Sequence, residues 1–595
     1  MITKRNYFTI LLMFAVLFFM FMFLQMMKEI GNEYDVNPYA KDSVLVSGSV
    51  VTVQEDSEKE QVYFFHDLES SYENVIEQWC RYTKRELHMT MELKEYDSSG
   101  NIYIVDPEAL SPERDVPVLL HIAKAGNIVI FCRIPAIDEI RTNAGLRELL
   151  GIDSISSDSV QTDGIKLFSG FLLGGESIYR AVGDEEQERQ DLELTMPWFL
   201  LNSNCKTYMV GLMEDTSIEN EELPAVLWRC SLGDGLVFAV NGNYMEECMG
   251  IGMLQAMMAE SKSYELYPVV NAQSLGVANF PGFANENNDL MMSLYSRNQI
   301  SLFRDIIWPS LCSIAMKSNA KLTCYMTSQH NFIDKDEPDS DTLIFFLKQM
   351  REQNSEAAVS LDASRAINLT QKLTGDEKFF VGSGSKYSYR AGYMPADQLK
   401  QFPLSERMSY TSKLQTVSSD VDYREEVLSY LEDDVTVQMI TDNGIRHTFR
   451  DDLRLRALET ALAYSNTVMD MGRISWPEED TDRWEILAEK FSSNTYTYGR
   501  PFAAFEQTTA SESDRRIRSL LAVNYYHERE KDTVYLHVEA ADEPWFMFRI
   551  HGEKISSVTG ADYKEVEEGA YLIHATESEI EISLKDSDQL YYTLE

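Results

Sequence analysis

Residues 7–27 read YFTILLMFAVLFFMFMFLQMM, a run without a single charge. As a helix rising 1.5 Å per residue it spans about 30 Å of hydrocarbon, and a helix satisfies its own backbone polar groups where there is no water. The run predicts one transmembrane helix, so the rest of the chain must fold on one side of it or the other. A secretory signal would carry an apolar region of only about 7–15 residues and a small-x-small cleavage site. Gln25-Met26-Met27-Lys28-Glu29 offers no such site, and the segment is expected to stay as an anchor. Lys4 and Arg5 precede it, whereas Glu29, Glu33 and Asp35 follow. That asymmetry places residues 1–6 in the cytoplasm and the bulk of the chain outside the cell membrane as a single-pass protein.

The charge balance then narrows the partners. Lys and Arg number 53 against 96 Asp and Glu, a formal net charge of −43, which repels a phosphate backbone and excludes nucleic acid. Seven cysteines, at 80, 132, 205, 230, 248, 312 and 324, contain no CxxC pair, so neither a structural zinc site nor a redox motif is expected. Their odd number leaves at least one thiol unpaired in a monomer. Buried free thiols are the preferred reading, and a Cys205–Cys230 pairing is left open. An acidic, cysteine-poor ectodomain on such an anchor is associated with bacterial surfaces.

At about 100–200 residues per domain, 595 residues make three or four units. Residues 28–60 are polar and read as a linker containing one strand, DSVLVSGSVVTVQ. From 61 to 262, QVYFFHD, NIYIVD, NIVIFCRI, KTYMVGLM, AVLWRCSL and GLVFAVNG alternate with helical stretches. This predicts an α/β layer with a parallel sheet, and the pattern resembles the flavodoxin or class I amidotransferase fold. Gly233-Asp234-Gly235 is not a dinucleotide-binding fingerprint, and no nucleophile elbow is present, so binding or structural use is expected there. Residues 267–507 mix strands (KLTCYMT, AAVSLD, KFFVG) with long helices and predict a second α/β layer or barrel. Residues 515–595 carry short alternating strands and predict a small all-β sandwich.

Several strings of the second unit, PVVNAQSLGVANFP, SEAAVSLDAS and WPEEDTDRW, resemble a bacterial family of exported proteins of unknown function. That family's barrel is similar to NodB-type polysaccharide deacetylases and is associated with Pel-type exopolysaccharide. Such deacetylases polarise the acetyl carbonyl with a divalent metal held by a carboxylate and two imidazoles, beside a second carboxylate as base. On this matching the acidic pair falls on Ala278 and Asn279, the imidazoles on Ser360 and Ser364, and a further histidine on Trp476. Tyr389-Arg390-Ala391-Gly392-Tyr393 resembles another deacetylase motif. The resemblance therefore implies the frame without the chemistry: a degenerate deacetylase-like barrel, no catalytic residue, no metal and no cofactor. It implies a glycan groove lined by Asn279, Ser360, Ser364, Arg390, Tyr393 and Trp476.

The expected function is a membrane-anchored extracellular accessory protein of exopolysaccharide biosynthesis or export. It would bind or scaffold a polysaccharide, possibly an amino-sugar polymer, beside synthase or export subunits. One alternative is an enzyme, either a glycan hydrolase using Glu478, Glu479 and Asp480 or a deacetylase with ligands elsewhere; another is a purely structural membrane-complex subunit. A solvated loop explains Glu478 to Asp482 more simply. Trp476 and Trp484 are either a stacking platform or core. Met291 and Met292 read as core filler, and His527, His537, His551 and His574 as scattered residues.

Overall fold

The computed structural model describes residues 11–22 and 59–587, apart from 68, 94–98, 216, 333–335, 386, 401–407, 433, 541 and 543. Residues 11–22 are helical with every side chain exposed. Among the described residues no helix is long and apolar enough to cross a membrane. The remainder of the expected span, residues 1–6 and nearly all of the expected linker with its strand lie outside them.

The first unit is a nine-stranded sheet. Its order is Glu86–Thr90, Gln61–Phe65, Ile102–Val105, Ile128–Phe131, Gly235–Val240, Ala225–Leu232, Cys205–Leu212, Gly164–Leu167 and Ser177–Arg180. IYIV and IVIF are buried at every position because helices cover both faces. Glu73–Thr83 and Met249–Ser261 pack on one face and Pro112–Lys124 and Ala144–Leu150 on the other. The expected parallel sheet holds for the first five strands only. Ala225–Leu232 joins Gly235–Val240 through Gly233-Asp234, and two residues cannot make the crossover that a parallel pair needs. From that turn onward the sheet is antiparallel. Cys205 and Cys230 face one another across two of these strands and form a disulfide. The other five thiols are free, four of them buried. The preference for free thiols is thus corrected at this pair: antiparallel register brings together two residues that sequence leaves 25 apart.

The second unit is a parallel barrel. Its strands Tyr464–Asp470, Ala272–Ala278, Leu322–Met326, Glu356–Ser360, Ala391–Tyr393, Thr416–Ser419 and Val435–Met439 follow one another around it. A parallel bridge between Asp442 and Thr467 brings the last strand back to the first. Small residues, Ala278, Ala358 and Ala391, share the interior with Tyr325, Tyr393 and Val468. Phe280, Trp308, Phe346 and their neighbours fill the layer between strands and outer helices. At the strands' N-terminal end the helix Ala510–Ala522 acts as a plug, started by a Thr509–Glu512 capping box. The Ala510 N–H donates to Thr323 Oγ1 at 3.0 Å, and Gln438 Nε2 donates to the Ala510 carbonyl at 3.0 Å. Met291 is core as expected, but Met292 is 48% exposed, because the short helix Asn288–Tyr295 buries one face only.

The C-terminal sandwich pairs two four-stranded antiparallel sheets around Val534, Leu536, Phe546, Phe548, Ile573 and Ile582. One of its strands is borrowed. Tyr264–Val269, which sequence places at the opening of the barrel unit, runs antiparallel to Trp545–Ile550 and completes the sandwich instead. Three units are therefore tied together, and the helices Met249–Ser261 and Phe449–Leu462 seal the first against the second. Every residue from Met249 to Glu260 is buried, as for a helix covered on all sides.

Candidate functional site

The C-terminal ends of the barrel strands, where parallel barrels carry their functional loops, open into a cavity of about 430 Å³. Asn279 follows the strand Ala272–Ala278 with φ +54°, a left-handed conformation that Asn tolerates better than most residues. That turn sends its amide into the mouth. Nδ2 donates to Asp362 Oδ2 at 2.9 Å and to Asp470 Oδ1 at 2.8 Å, while Oδ1 accepts from Ser360 Oγ at 2.6 Å. The reverse orientation would set the amide oxygen against two carboxylates, so the network fixes which end points where.

The two carboxyls sit in different surroundings. Burial works to raise Asp362, but the Ser364 N–H at 2.8 Å, the Ser364 hydroxyl and the Asn279 amide hold it below the usual carboxylate range. Asp470 keeps a solvent-exposed edge, yet the crowded walls of the mouth push it up, and the charge of Asp362 adds to that push. Its Oδ1 also accepts from the Gly472 N–H at 2.9 Å, whereas Oδ2 has no hydrogen-bond partner among the described residues. His330 lines the same mouth and is only 7% exposed. Burial and the nearby Lys372 charge push its pKa down to about 3, so the ring is neutral. Its Nε2 has no partner among the described residues. The Glu286 carboxylate receives the backbone N–H groups of His330 and Asn331 at 2.9 and 2.8 Å, which fixes this loop.

At the rim, Arg473 pairs with Asp482 at 3.0 Å and Arg365 with Glu478 at 3.6 Å. Both arginines of the mouth are thus engaged. Asp362, Asp420 and Asp470 have no cation within ion-pair distance among the described residues, which leaves the mouth acidic.

Of the groove residues expected from sequence, Asn279 is central and Ser360 supports it from beneath with no exposure. Ser364 holds Asp362, and Tyr393 and Trp476 line the wall. Arg365 lies over the Trp476 ring at 5.4 Å and covers part of one face. Arg390 is corrected. It precedes the strand Ala391–Tyr393 and sits at the end away from the mouth, where its carbonyl accepts from the N–H groups of Gln415 and Thr416. Trp484, at 3% exposure, belongs to the core and is no platform. Among the alternative carboxylates only Glu478 reaches the rim. Glu479 and Asp480 are exposed in a capped turn whose N–H groups bond to Asp482, so they do not face an acid across a cleft. The four C-terminal histidines have separate neighbours: Tyr264, Glu579, the Ala259 carbonyl and the Trp545 ring. Asp362, Asp420, Asp470 and His330 were not anticipated. The one signal in the sequence is position, since Asp362 and Asp470 each end an apolar strand-like run.

Deacetylases of the NodB type use a divalent cation, and the residues present at this mouth do not fit one. Asp362 Oδ2 and Asp470 Oδ1 both accept N–H bonds from Asn279, which offers a cation protons where it needs lone pairs. Among the described residues no group of three or more His, Cys, Asp and Glu side chains is placed to hold a metal ion.

Comparison with known proteins bears on the frame. A family model described as "Uncharacterised protein conserved in bacteria (DUF2194)" matches residues 173–366, from the first unit into the barrel. No curated protein matches the chain. Among solved structures, Agd3, described as a novel carbohydrate deacetylase, is similar over 89% of this chain and 99% of its own, with a TM-score of 0.51 and 8% identity. At that identity the likeness shows a shared, deacetylase-like fold. The exo-β-1,4-mannosidase Op5Man5 from Opitutaceae bacterium strain TAV5 is 10% identical, over 35% of this chain and 34% of its own. Its TM-score is 0.23, too low to carry any argument.

Proposed function

We propose that this chain is a glycan-binding protein that holds an amino-sugar polymer in the mouth of a deacetylase-like barrel without deacetylating it. The carrying observation is the Asp362–Asn279–Asp470 bridge. An amide stands where deacetylase chemistry needs a metal, and the surplus acid around it suits a ligand bearing ammonium groups. Supporting this reading, the fold is that of a solved carbohydrate deacetylase, and Trp476 offers a ring beside the acids.

The same reading makes it a single-pass membrane protein, anchored by residues 7–27 with residues 1–6 cytoplasmic and the bulk extracellular. Support comes from the charge asymmetry, the exposed apolar helix of residues 11–22 and a disulfide suited to an oxidising compartment. Work beside Pel-type exopolysaccharide synthase or export subunits, and an amidotransferase-like first unit used for binding or structure, complete the proposal.

Titration of the full chain with hexosamine hexamers tests it. Partly deacetylated hexamers should bind more tightly than fully acetylated ones, and added salt should weaken them. Trp476→Ala should weaken binding by about 1–2 kcal/mol, roughly five- to thirtyfold. No acetate should be released. Chelator-sensitive acetate release would overturn the non-deacetylase reading. Absence of binding across the series would leave a structural membrane-complex subunit as the better account.

A further inference from the structure

The two carboxylates at the mouth have a spacing that binding alone does not require. Both N–H bonds of one trigonal amide are used, one on Asp362 at 2.9 Å and one on Asp470 at 2.8 Å. Bonds that diverge by about 120° put the two accepting oxygens about 5 Å apart, the separation found in glycosidases that retain anomeric configuration. We propose that Asp362 and Asp470 are a nucleophile and an acid for retaining cleavage of a glycosidic bond, with Asn279 as the positioning residue that sets their distance. This rests on the glycan-binding reading of the same mouth and adds a reaction to it.

The surroundings assign the roles. Asp362 accepts from the Ser364 N–H and hydroxyl and from Asn279, a set of donors that favours the ionised form. Asp470 has an Oδ2 without a partner among the described residues and walls that favour the protonated form. Environments that push two neighbouring acids apart in this way divide nucleophile from acid. In the first step Asp362 Oδ2 forms a bond to the anomeric carbon. The bond from that carbon to the glycosidic oxygen breaks, and its electron pair takes the proton from Asp470, so one sugar leaves as an alcohol. In the second step Asp470, now a carboxylate, takes a proton from water while the water oxygen bonds to the anomeric carbon and the Asp362 ester bond breaks. Both carboxyls return to their starting forms, and one water is consumed. Neutral His330, nine-tenths buried, packs into the wall of the same mouth. The cavity has room for a sugar.

The full chain would be incubated with partly deacetylated hexosamine hexamers and, separately, with a 2-deoxy-2-fluoro glycosyl fluoride, which slows the second step. Shorter oligomers should appear, and the fluoro sugar should stay covalently bound to the peptide bearing Asp362. Asp362→Asn and Asp470→Asn should each lower cleavage by about a hundredfold or more while hexamer binding changes only a few-fold. Trapping on the wild type does not depend on how the variants fold. Hexamers that bind but are never shortened, with no label on Asp362, would overturn the cleavage and leave the binding reading standing. Hexamers that neither bind nor shorten would overturn both.

Discussion

Glu459 has no exposure, one oxygen 2.8 Å from Gln273 Nε2 and the other without a partner among the described residues. Burial pushes its pKa up to about 8 from an ordinary 4.5. Between those values the folded protein keeps a proton that the unfolded chain has lost, so this group makes stability fall as pH rises from about 4.5 to 8. His447 acts above it. Burial would lower this imidazole, but Asp442 at 2.9 Å and Asp452 at 3.7 Å raise it to about 9. Its contribution is full below the ordinary 6.5 and is lost as pH climbs through 9. Unfolding measured from pH 4.5 to 9.5 should show both losses. Glu459→Gln should gain on the order of 2–4 kcal/mol over the wild type at pH 7.5, gain nothing at pH 4.5, and keep the His447 loss. Parallel profiles for the two proteins would refute the assignment. At this scale the sequence marks Asn279 and Ser360 by their place in matched strings. It marks Asp362 and Asp470 only by their place at the end of strand-like runs and Asp420 not at all, because each is one acid among 96 and meets the others only when strands 50 residues or more apart close a barrel.

Helix packing decides the next level. A Cβ on Gly252 would lie 2.1 Å from the Ala457 carbonyl oxygen, against backbone that cannot swing aside. Glycine is what lets Met249–Ser261 and Phe449–Leu462 touch. Gly252→Ala should force them apart and destabilise the protein by about 1–3 kcal/mol in urea unfolding; an unchanged midpoint would show that the helices have slack. Element types were readable wherever periodicity was strong: the long buried helices, the IVIF-type strands and the alternating C-terminal strands. Pairing direction was not, since AVLWRCSL reads alike in a parallel or antiparallel neighbour. The two residues between it and GLVFAVNG carry the sign, because a turn that short excludes a crossover.

For the molecule as a whole, sidedness is the first question. If the proposed topology holds, with Lys4 and Arg5 inside and the apolar segment retained, protease added to intact protoplasts should remove nearly all of the protein's mass. Protection of the bulk would reverse the proposed topology, and a mature N-terminus near residue 30 would show a cleaved signal.

Strand rhythm predicts two α/β layers and an all-β sandwich, but not that the sandwich borrows a strand, because pairing between 264–269 and 545–550 leaves no trace in local pattern. That shared strand has a mechanical meaning. Tyr264–Val269 leaves the first unit at one end and enters the barrel at the other, and its six residues lie lengthwise against Trp545–Ile550. If the barrel holds a tethered polymer as proposed, pulling the two units apart draws the chain taut through this strand, which is already extended and has little length left to give. The sandwich would then act as a splint on the chain's own neck, limiting how far the units can part.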